Sequence, residues 1–170
     1  MKTFLKVGLI LGSIDSLLLL ASQVNISGGS SDAPLHKAHA LAGLLSILTL
    51  ILGVYFGIEE IKKKNPGGFS YKLAVLSGIK ITGITAAFIS IFSLFYCTVI
   101  NSGFTGMMVK DVEKLLLASG ATAEEMSIRL EHVKNEFSAS TQVIRGLVLQ
   151  LVLGTLASLL IGLSLRTRNS

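Results

Sequence analysis

Two stretches of this chain carry no charged residue over a length that matches the thickness of a lipid bilayer. Residues 146–165 are uncharged and lie between Arg145 and Arg166. Residues 41–58 are also uncharged and are followed by Glu59. A helix needs about 20 apolar residues to cross the hydrocarbon layer, and an apolar run of that length indicates a transmembrane helix. The pattern predicts spans at about 39–58 and 146–165.

Two further segments are long and apolar, but each contains charge. Residues 4–21 include Lys6 near the start and Asp15 well inside, and residues 71–100 include Lys80 but no charge from position 81 onward. A basic start before a short apolar run is also typical of a signal peptide, whereas an aspartate inside that run is not. We therefore expect a retained first span and four spans in total.

The composition agrees with a membrane protein. Hydrophobic residues make up 51% of the chain and the mean hydropathy is +0.70, well above the values of ordinary soluble domains. The net charge of +5 comes mostly from residues that flank the apolar segments, so the expected partner is the lipid bilayer and not nucleic acid. Cys97 is the only cysteine, which excludes an internal disulfide and a Cys-rich zinc site. We expect a single membrane domain over residues 1–170.

The long polar region between spans three and four has the pattern of two short helices. Gly120 favours a stop after the first helix, and Thr122 with Glu125 has the spacing of a capping box that starts the second. Apolar residues recur on one face of the second helix: Met126, Leu130, Val133 and Phe137. The predicted fold is all-α, an integral membrane four-helix bundle with an extramembrane amphipathic helical hairpin at about 105–140. The apolar faces of the hairpin must cover each other, the membrane surface or a partner.

Basic residues are distributed unequally over the two short connections. The connection between spans two and three has four lysines, whereas that between spans one and two has only Lys37. These four are Lys62, Lys63, Lys64 and Lys72. Short basic loops stay on the cytoplasmic side, so we expect both termini in the cytoplasm. In a Gram-negative cell the protein would lie in the inner membrane with the hairpin in the periplasm.

Several sequence blocks resemble a known family. The blocks are Leu-Lys-Val-Gly-Leu-Ile-Leu-Gly at 5–12, Gly-Ile-Glu-Glu-Ile-Lys-Lys-Lys at 57–64, Gly-Gly-Phe-Ser-Tyr-Lys at 67–72 and Ser-Gly at 77–78. In this order, and with a polar helical stretch at 107–138, the chain is similar to a Bacteroidota-type family of four-span membrane proteins, domain of unknown function 4199. The proline common in that family after span three is absent at 101–103. The resemblance implies no catalytic or binding residues.

Asp15 and Lys80 are the two charges that fall well inside predicted spans, away from Lys6 and Lys72 at the span starts. At helical rise they lie ~20 Å and ~14 Å from the cytoplasmic ends of their helices, a difference that two long side chains could bridge. One interpretation is a proton or ion relay. The others are a structural pair that fixes spans one and three, or an Asp15 near the outer interface with Lys80 reaching towards the cytoplasmic one.

Two histidines at the start of span two are weak candidates for a metal site. His36 and His39 are three residues apart and close to Asp32, but the sequence offers no firm third ligand. A haem site would need facing histidines deep in two spans, which are missing. We predict no metal and no cofactor.

Small residues recur four apart on three of the predicted spans, where they permit close helix contact. They are Gly8 with Gly12, Gly53 with Gly57, and Gly154 with Ser158. Packing within one chain is the simpler interpretation. A homodimer through Gly53 and Gly57 is the alternative.

No motif for a nucleophile, a phosphate-binding loop or paired catalytic carboxylates is present in the sequence, so we predict that the protein is not an enzyme. The first functional hypothesis is an accessory or interaction subunit of a larger complex or a homo-oligomer, with the apolar face of the second hairpin helix (Met126, Leu130, Val133 and Phe137) as the contact surface. The alternative is a small oligomeric transporter or ion-coupled permease that uses Asp15 and Lys80.

Overall fold

The computed structural model of the protein describes residues 2–27, 35–66 and 68–165, and these residues form an all-α fold. Six α-helices are present in these ranges: α1 Lys2–Ser27, α2 Leu35–Lys63, α3 Tyr71–Phe95, α4 Phe104–Ala118, α5 Ala123–Glu136 and α6 Ala139–Leu165. A short π-helical segment, Tyr96–Ile100, continues α3. The predicted fold class is confirmed.

Four segments are long and apolar enough to cross a membrane: Lys2–Ser22, His39–Lys63, Tyr71–Ile100 and Ala139–Leu165. Their outward faces carry large apolar side chains that the protein itself leaves exposed. Leu17, Leu44, Ile91 and Leu160 are examples from the four segments. Exposed apolar surface on this scale is unusual for a protein in water, so these faces contact the lipid bilayer.

The four spans run alternately up and down. We call the end that holds the start of α1, the end of α6 and the α2–α3 turn the terminal end, and the opposite end the hairpin end. α3 packs extensively against α6 and against α1, while α2 packs against α1 and α6. α1 and α6 therefore lie on opposite sides of the bundle.

The half of the bundle nearer the terminal end is tightly packed. Val54, Ile58 and Ile81 are almost completely buried there. The Thr85 hydroxyl donates to the Gly8 carbonyl oxygen at 3.2 Å and so connects α3 to α1.

The sequence predicted one helical span over 71–100. In the structure this span does not stay α-helical to its end. From Tyr96 the backbone is π-helical, and the Asn101 N–H donates to the Tyr96 carbonyl oxygen at 2.7 Å, five residues back. The Asn101 amide also donates to the Tyr96 hydroxyl at 2.9 Å. The altered turn ends the span, and α4 begins at Phe104.

Helices α4 and α5 form the predicted hairpin, with boundaries slightly different from 105–140. Gly120 has a positive φ of 73° in the connecting turn, a conformation that glycine adopts without strain. The last predicted hairpin residues belong to α6, which begins at Ala139 and not near 146. The Ser138 hydroxyl accepts a hydrogen bond from the Thr141 N–H at 3.3 Å, as at a helix N-cap, so the helix starts before the charged Arg145.

The capping box at the start of α5 predicts a specific pH dependence. The Thr122 N–H and hydroxyl each donate to Oε2 of Glu125 at 2.9 Å. These two hydrogen bonds hold the Glu125 pKa below its usual 4.5, and the bond from the backbone N–H has the larger effect. Because the pKa is lowered in the folded state, the stabilisation is present above pH 4.5 and is lost as the pH falls through the lower folded value. We expect the Thr122 amide to lose hydrogen-exchange protection in that range, as measured by NMR. Glu125→Gln should show no such dependence; an unchanged pH profile in this variant would contradict the assignment.

Candidate functional site

Three polar side chains from three different spans meet in the half of the bundle nearer the hairpin end. Asp15 of α1 is only 6% exposed and Gln150 of α6 only 8%. The Gln150 Nε2 group donates to Oδ2 of Asp15 at 3.0 Å and to Oγ of Ser46, on α2, at 3.3 Å. These bonds connect α1 with α6 across the bundle.

Each of the two buried groups keeps one oxygen with no hydrogen-bond partner among the residues that the structure describes. These atoms are Oδ1 of Asp15 and Oε1 of Gln150. Both are acceptors in the hydrogen-bond arrangement described above. An unpaired buried polar atom destabilises a protein by about 1–3 kcal/mol. The site therefore favours a molecule that brings hydrogen-bond donors.

Both residues line a cavity of about 560 Å³. Its walls are mostly apolar and come from all four spans: Leu19, Ile47, Leu50, Ile89, Phe92, Leu149 and Leu153. Its roof is formed by the hairpin, through Val112 of α4 with Val133 and Phe137 of α5. Pockets for small molecules typically have volumes of roughly 300–1,000 Å³ and apolar walls with a few polar groups. The cavity fits that description in size and chemistry.

Charged residues line the cavity where α5 meets α6. Arg145 Nη1 lies 2.9 Å from Oε1 of Glu136, and the nearby His132 Nε2 lies 4.0 Å from Oε2 of the same carboxylate. Arg129 lines the cavity as well. The charges are thus at the hairpin end, and Asp15 lies deeper between the spans.

Asp15 and Lys80 are not brought together. Lys80 is exposed, and its Nζ lies 5.2 Å from the centre of the Phe4 ring near the start of α1. Among the described residues Asp15 forms no ion pair, and it accepts a hydrogen bond from Gln150. The predicted pairing is therefore wrong, because the long Lys80 side chain leaves the bundle interior and lies over an aromatic ring. The alternative in which Lys80 reaches away from Asp15 agrees with this geometry.

Gln150 and Ser46 were not among the site residues predicted from the sequence. Gln150 was detectable, because it is the only amide in the uncharged run 146–165, and an amide inside a span favours a polar partner on another helix. Its partner could not be predicted from the sequence, because α1 and α6 face each other across the bundle only as a result of how the other two spans pack.

The small residues selected from the sequence contact other helices of the same chain. A Cβ atom added at Gly8 would meet Ile84, and one at Gly12 would meet Phe88. The corresponding neighbours are Leu11 for Gly53, Ile81 and Val7 for Gly57, and Thr82 for Gly154, while Ser158 packs against Gly78. The surface that a dimer through Gly53 and Gly57 would need is therefore occupied by the chain's own α1 and α3.

The apolar face of α5 is turned inward. Val133 and Phe137 are buried in a cluster with Tyr96, Phe104 and Met108, and Met126 and Leu130 are half-buried. Of the alternatives for this face, covering by the rest of the chain is the one observed. The prediction that Val133 and Phe137 form an exposed contact surface is wrong, because the hairpin folds back onto the bundle.

Of the weak metal candidates, His39 is described with its side chain and His36 is not. The side chain of His36 and all of Asp32 lie outside the described residues. The His39 ring lies 5.8 Å from the ring centres of both Phe104 and Phe137. Within the described part of the chain no three His, Cys, Asp or Glu residues are grouped as metal ligands would be.

These features define a multi-pass α-helical membrane protein with a ligand-sized cavity between its spans and its hairpin. The family described as "Protein of unknown function (DUF4199)" matches residues 6–167, and the chain belongs to this family. The resemblance in the sequence blocks is confirmed. No curated protein and no solved structure matches the chain.

Proposed function

We propose that this protein is a non-enzymatic membrane protein that binds a small amphipathic molecule in the cavity beneath its hairpin. The observation that carries the proposal is the pair of buried, unpartnered acceptors, Asp15 Oδ1 and Gln150 Oε1, at the wall of a ligand-sized apolar cavity. Apolar walls supply burial, and a few convergent polar atoms supply orientation. The bound molecule would donate a hydrogen bond to each of these two oxygens.

The cavity occupies one half of the bundle only. The other half is filled by side chains such as Val54, Ile58 and Ile81, which supports a one-sided binding site over an open channel. With the lysine-rich α2–α3 connection in the cytoplasm, the site would face the outer side of a bacterial inner membrane, with both termini in the cytoplasm. Ligand entry would then occur near the hairpin.

The two earlier hypotheses relate differently to this site. The interaction hypothesis loses the contact surface on which it depended, since Val133 and Phe137 are buried. A role as an accessory subunit would now depend on the ligand that the protein binds. The transport hypothesis keeps Asp15, which lies inside a span, but loses Lys80, which does not line the cavity. Binding is the step that both hypotheses share.

Filling the cavity tests the proposal without removing a polar group. Gly43 and Gly146 both line the cavity, and an added Cβ meets no atom within 4 Å at either position. We expect Gly43→Leu and Gly146→Leu to fold, because leucine favours a helix over glycine by roughly 1 kcal/mol, and to occupy part of the ligand's space. Native mass spectrometry of protein extracted from membranes in mild detergent should show a retained small molecule on the wild type that both variants lack.

Gly83→Leu is the matched control. Gly83 also lies within a span with no atom within 4 Å of an added Cβ, but it does not line the cavity. The retained molecule should stay on this variant. A wild-type protein that retains nothing, or the same retained mass in all three variants, would count against a binding function.

A further inference from the structure

We propose that the ligand of this cavity carries a positively charged amino group, which donates hydrogen bonds to Asp15 Oδ1 and Gln150 Oε1. This inference rests on the binding function proposed above and adds the chemical class of the ligand. It follows from three properties of the site: its uncompensated charge, the direction of its hydrogen bonds, and its apolar walls.

The charge of Asp15 has no partner in the described part of the chain. The carboxylate is buried within a span, where an isolated charge is strongly unfavourable. Lys80 lies over the Phe4 ring, and Arg145 is paired with Glu136. Arg129, the other arginine that lines the cavity, is an exposed residue of α5 at the hairpin end. An ammonium group placed beside Asp15 would supply the missing positive charge.

The hydrogen-bond directions also select a donor. Gln150 uses its Nε2 group on both Asp15 and Ser46, so the atom it has left for the cavity is the acceptor Oε1. Asp15 likewise has only Oδ1 left. A primary ammonium has three N–H donors and no acceptor, and it would satisfy both oxygens at once. A carboxylate or phosphate in this position would face two acceptors and be repelled.

The dimensions of the cavity favour an organic cation over a metal ion. Along α6, Gln150 lies five residues below Arg145, which is about 7–8 Å at helical rise. Apolar residues such as Ile47, Phe92 and Leu149 line the cavity. An amine with an apolar body of at least one aromatic ring would contact these walls, whereas a bare metal ion would leave them without contact.

Three probes that share one body and differ in the head group test the inference. Phenethylamine is a cation near neutral pH, phenethyl alcohol is neutral, and phenylpropionate is an anion. Binding to the full-length protein in lipid nanodiscs would be measured by saturation-transfer NMR and titration, with empty nanodiscs to correct for partitioning. We expect phenethylamine to bind at least about tenfold more tightly than the other two, a difference of ~1.4 kcal/mol.

Two variants connect the preference to the two acceptors. Asp15→Asn keeps the size of the side chain but removes the charge. Gln150→Met keeps the length but removes the acceptor together with the Nε2 donor that bonds to Asp15 and Ser46. Each should weaken phenethylamine binding by about tenfold or more, with little change for phenethyl alcohol. If either variant fails to fold, the comparison of the three probes on the wild-type protein still decides the question.

The outcomes distinguish a wrong amine assignment from a wrong binding function. If phenethyl alcohol or phenylpropionate binds as tightly as phenethylamine, and Gly43→Leu still abolishes binding, the cavity is a binding site but the amine assignment is overturned. If no probe binds the wild-type protein, or if Gly43→Leu and Gly83→Leu have the same effect, the binding function is overturned as well. Selective amine binding that is lost in Gly43→Leu and Asp15→Asn supports both.

Discussion

Gly154→Val should destroy the packing of α3 against α6 and leave little folded protein. A Cβ at position 154 would overlap three side-chain atoms of Thr82, and Thr82 is fully buried, with no space to move into. Overpacking of a close contact typically destabilises a protein by about 1–3 kcal/mol, and we expect a value at the upper end because the two helices are in contact along most of their length. The measurement is the melting temperature and the monodisperse fraction after detergent extraction.

A matched control lies on the same helix. Gly146→Val makes the same substitution about two turns earlier in α6, where an added Cβ meets no atom within 4 Å. It should be extracted as a folded, monodisperse protein and melt well above Gly154→Val. Equal losses in the two variants would show that valine in α6 is harmful in itself and that the contact with Thr82 is not the cause.

A second substitution can restore the contact. Thr82→Gly removes all three atoms that the new side chain would meet, and Thr82 Oγ1 has no hydrogen-bond partner in the described residues, so its removal breaks no polar contact. The double variant should recover part of the lost stability, which appears as a favourable coupling energy in a double-mutant cycle. Purely additive losses would contradict the proposed overlap.

The local structure was largely predictable from the sequence. The uncharged runs located the spans because a bilayer requires about 20 apolar residues whatever the tertiary fold. The hairpin was predictable because its turn depends on two local features, the positive φ at Gly120 and the Thr122–Glu125 capping box. The π-helical segment at Tyr96–Ile100 was not, since the same apolar residues also fit an ordinary α-helix.

The candidate site was predictable only in part. A lone carboxylate inside a span identifies Asp15 as a site residue, but not its partner. Choosing Lys80 relied on charge and depth, whereas the observed partner, Gln150, depends on which helices face each other across the bundle. Amphipathicity likewise showed that the α5 face is covered, but not that it covers the cavity and the core of its own chain.

The hairpin is coupled to this site because its residues form the roof of the cavity, so its attachment to the bundle determines whether the site stays closed. Phe104 is the centre of that attachment. It is 2% exposed, and its ring lies 5.8 Å from that of His39, 6.0 Å from that of Tyr96 and 6.1 Å from that of Phe137. The Arg145–Glu136 ion pair is a second connection between the hairpin and the spans.

Phe104→Ala should therefore release the hairpin while the spans stay folded. Truncation of a buried phenylalanine typically costs about 3–5 kcal/mol, and here the loss falls on one small cluster, since the packed core around Ile58 and Ile81 lies nearer the other end of the bundle. We expect trypsin to cut the hairpin much faster than in the wild type, and the cavity to lose its ligand. Phe95→Ala is the control, because Phe95 is 50% exposed on the lipid-facing surface and its loss should change neither. If the hairpin and the spans of Phe104→Ala unfold together at one temperature, the roof is not a separate unit, and ligand entry would have to occur by another route.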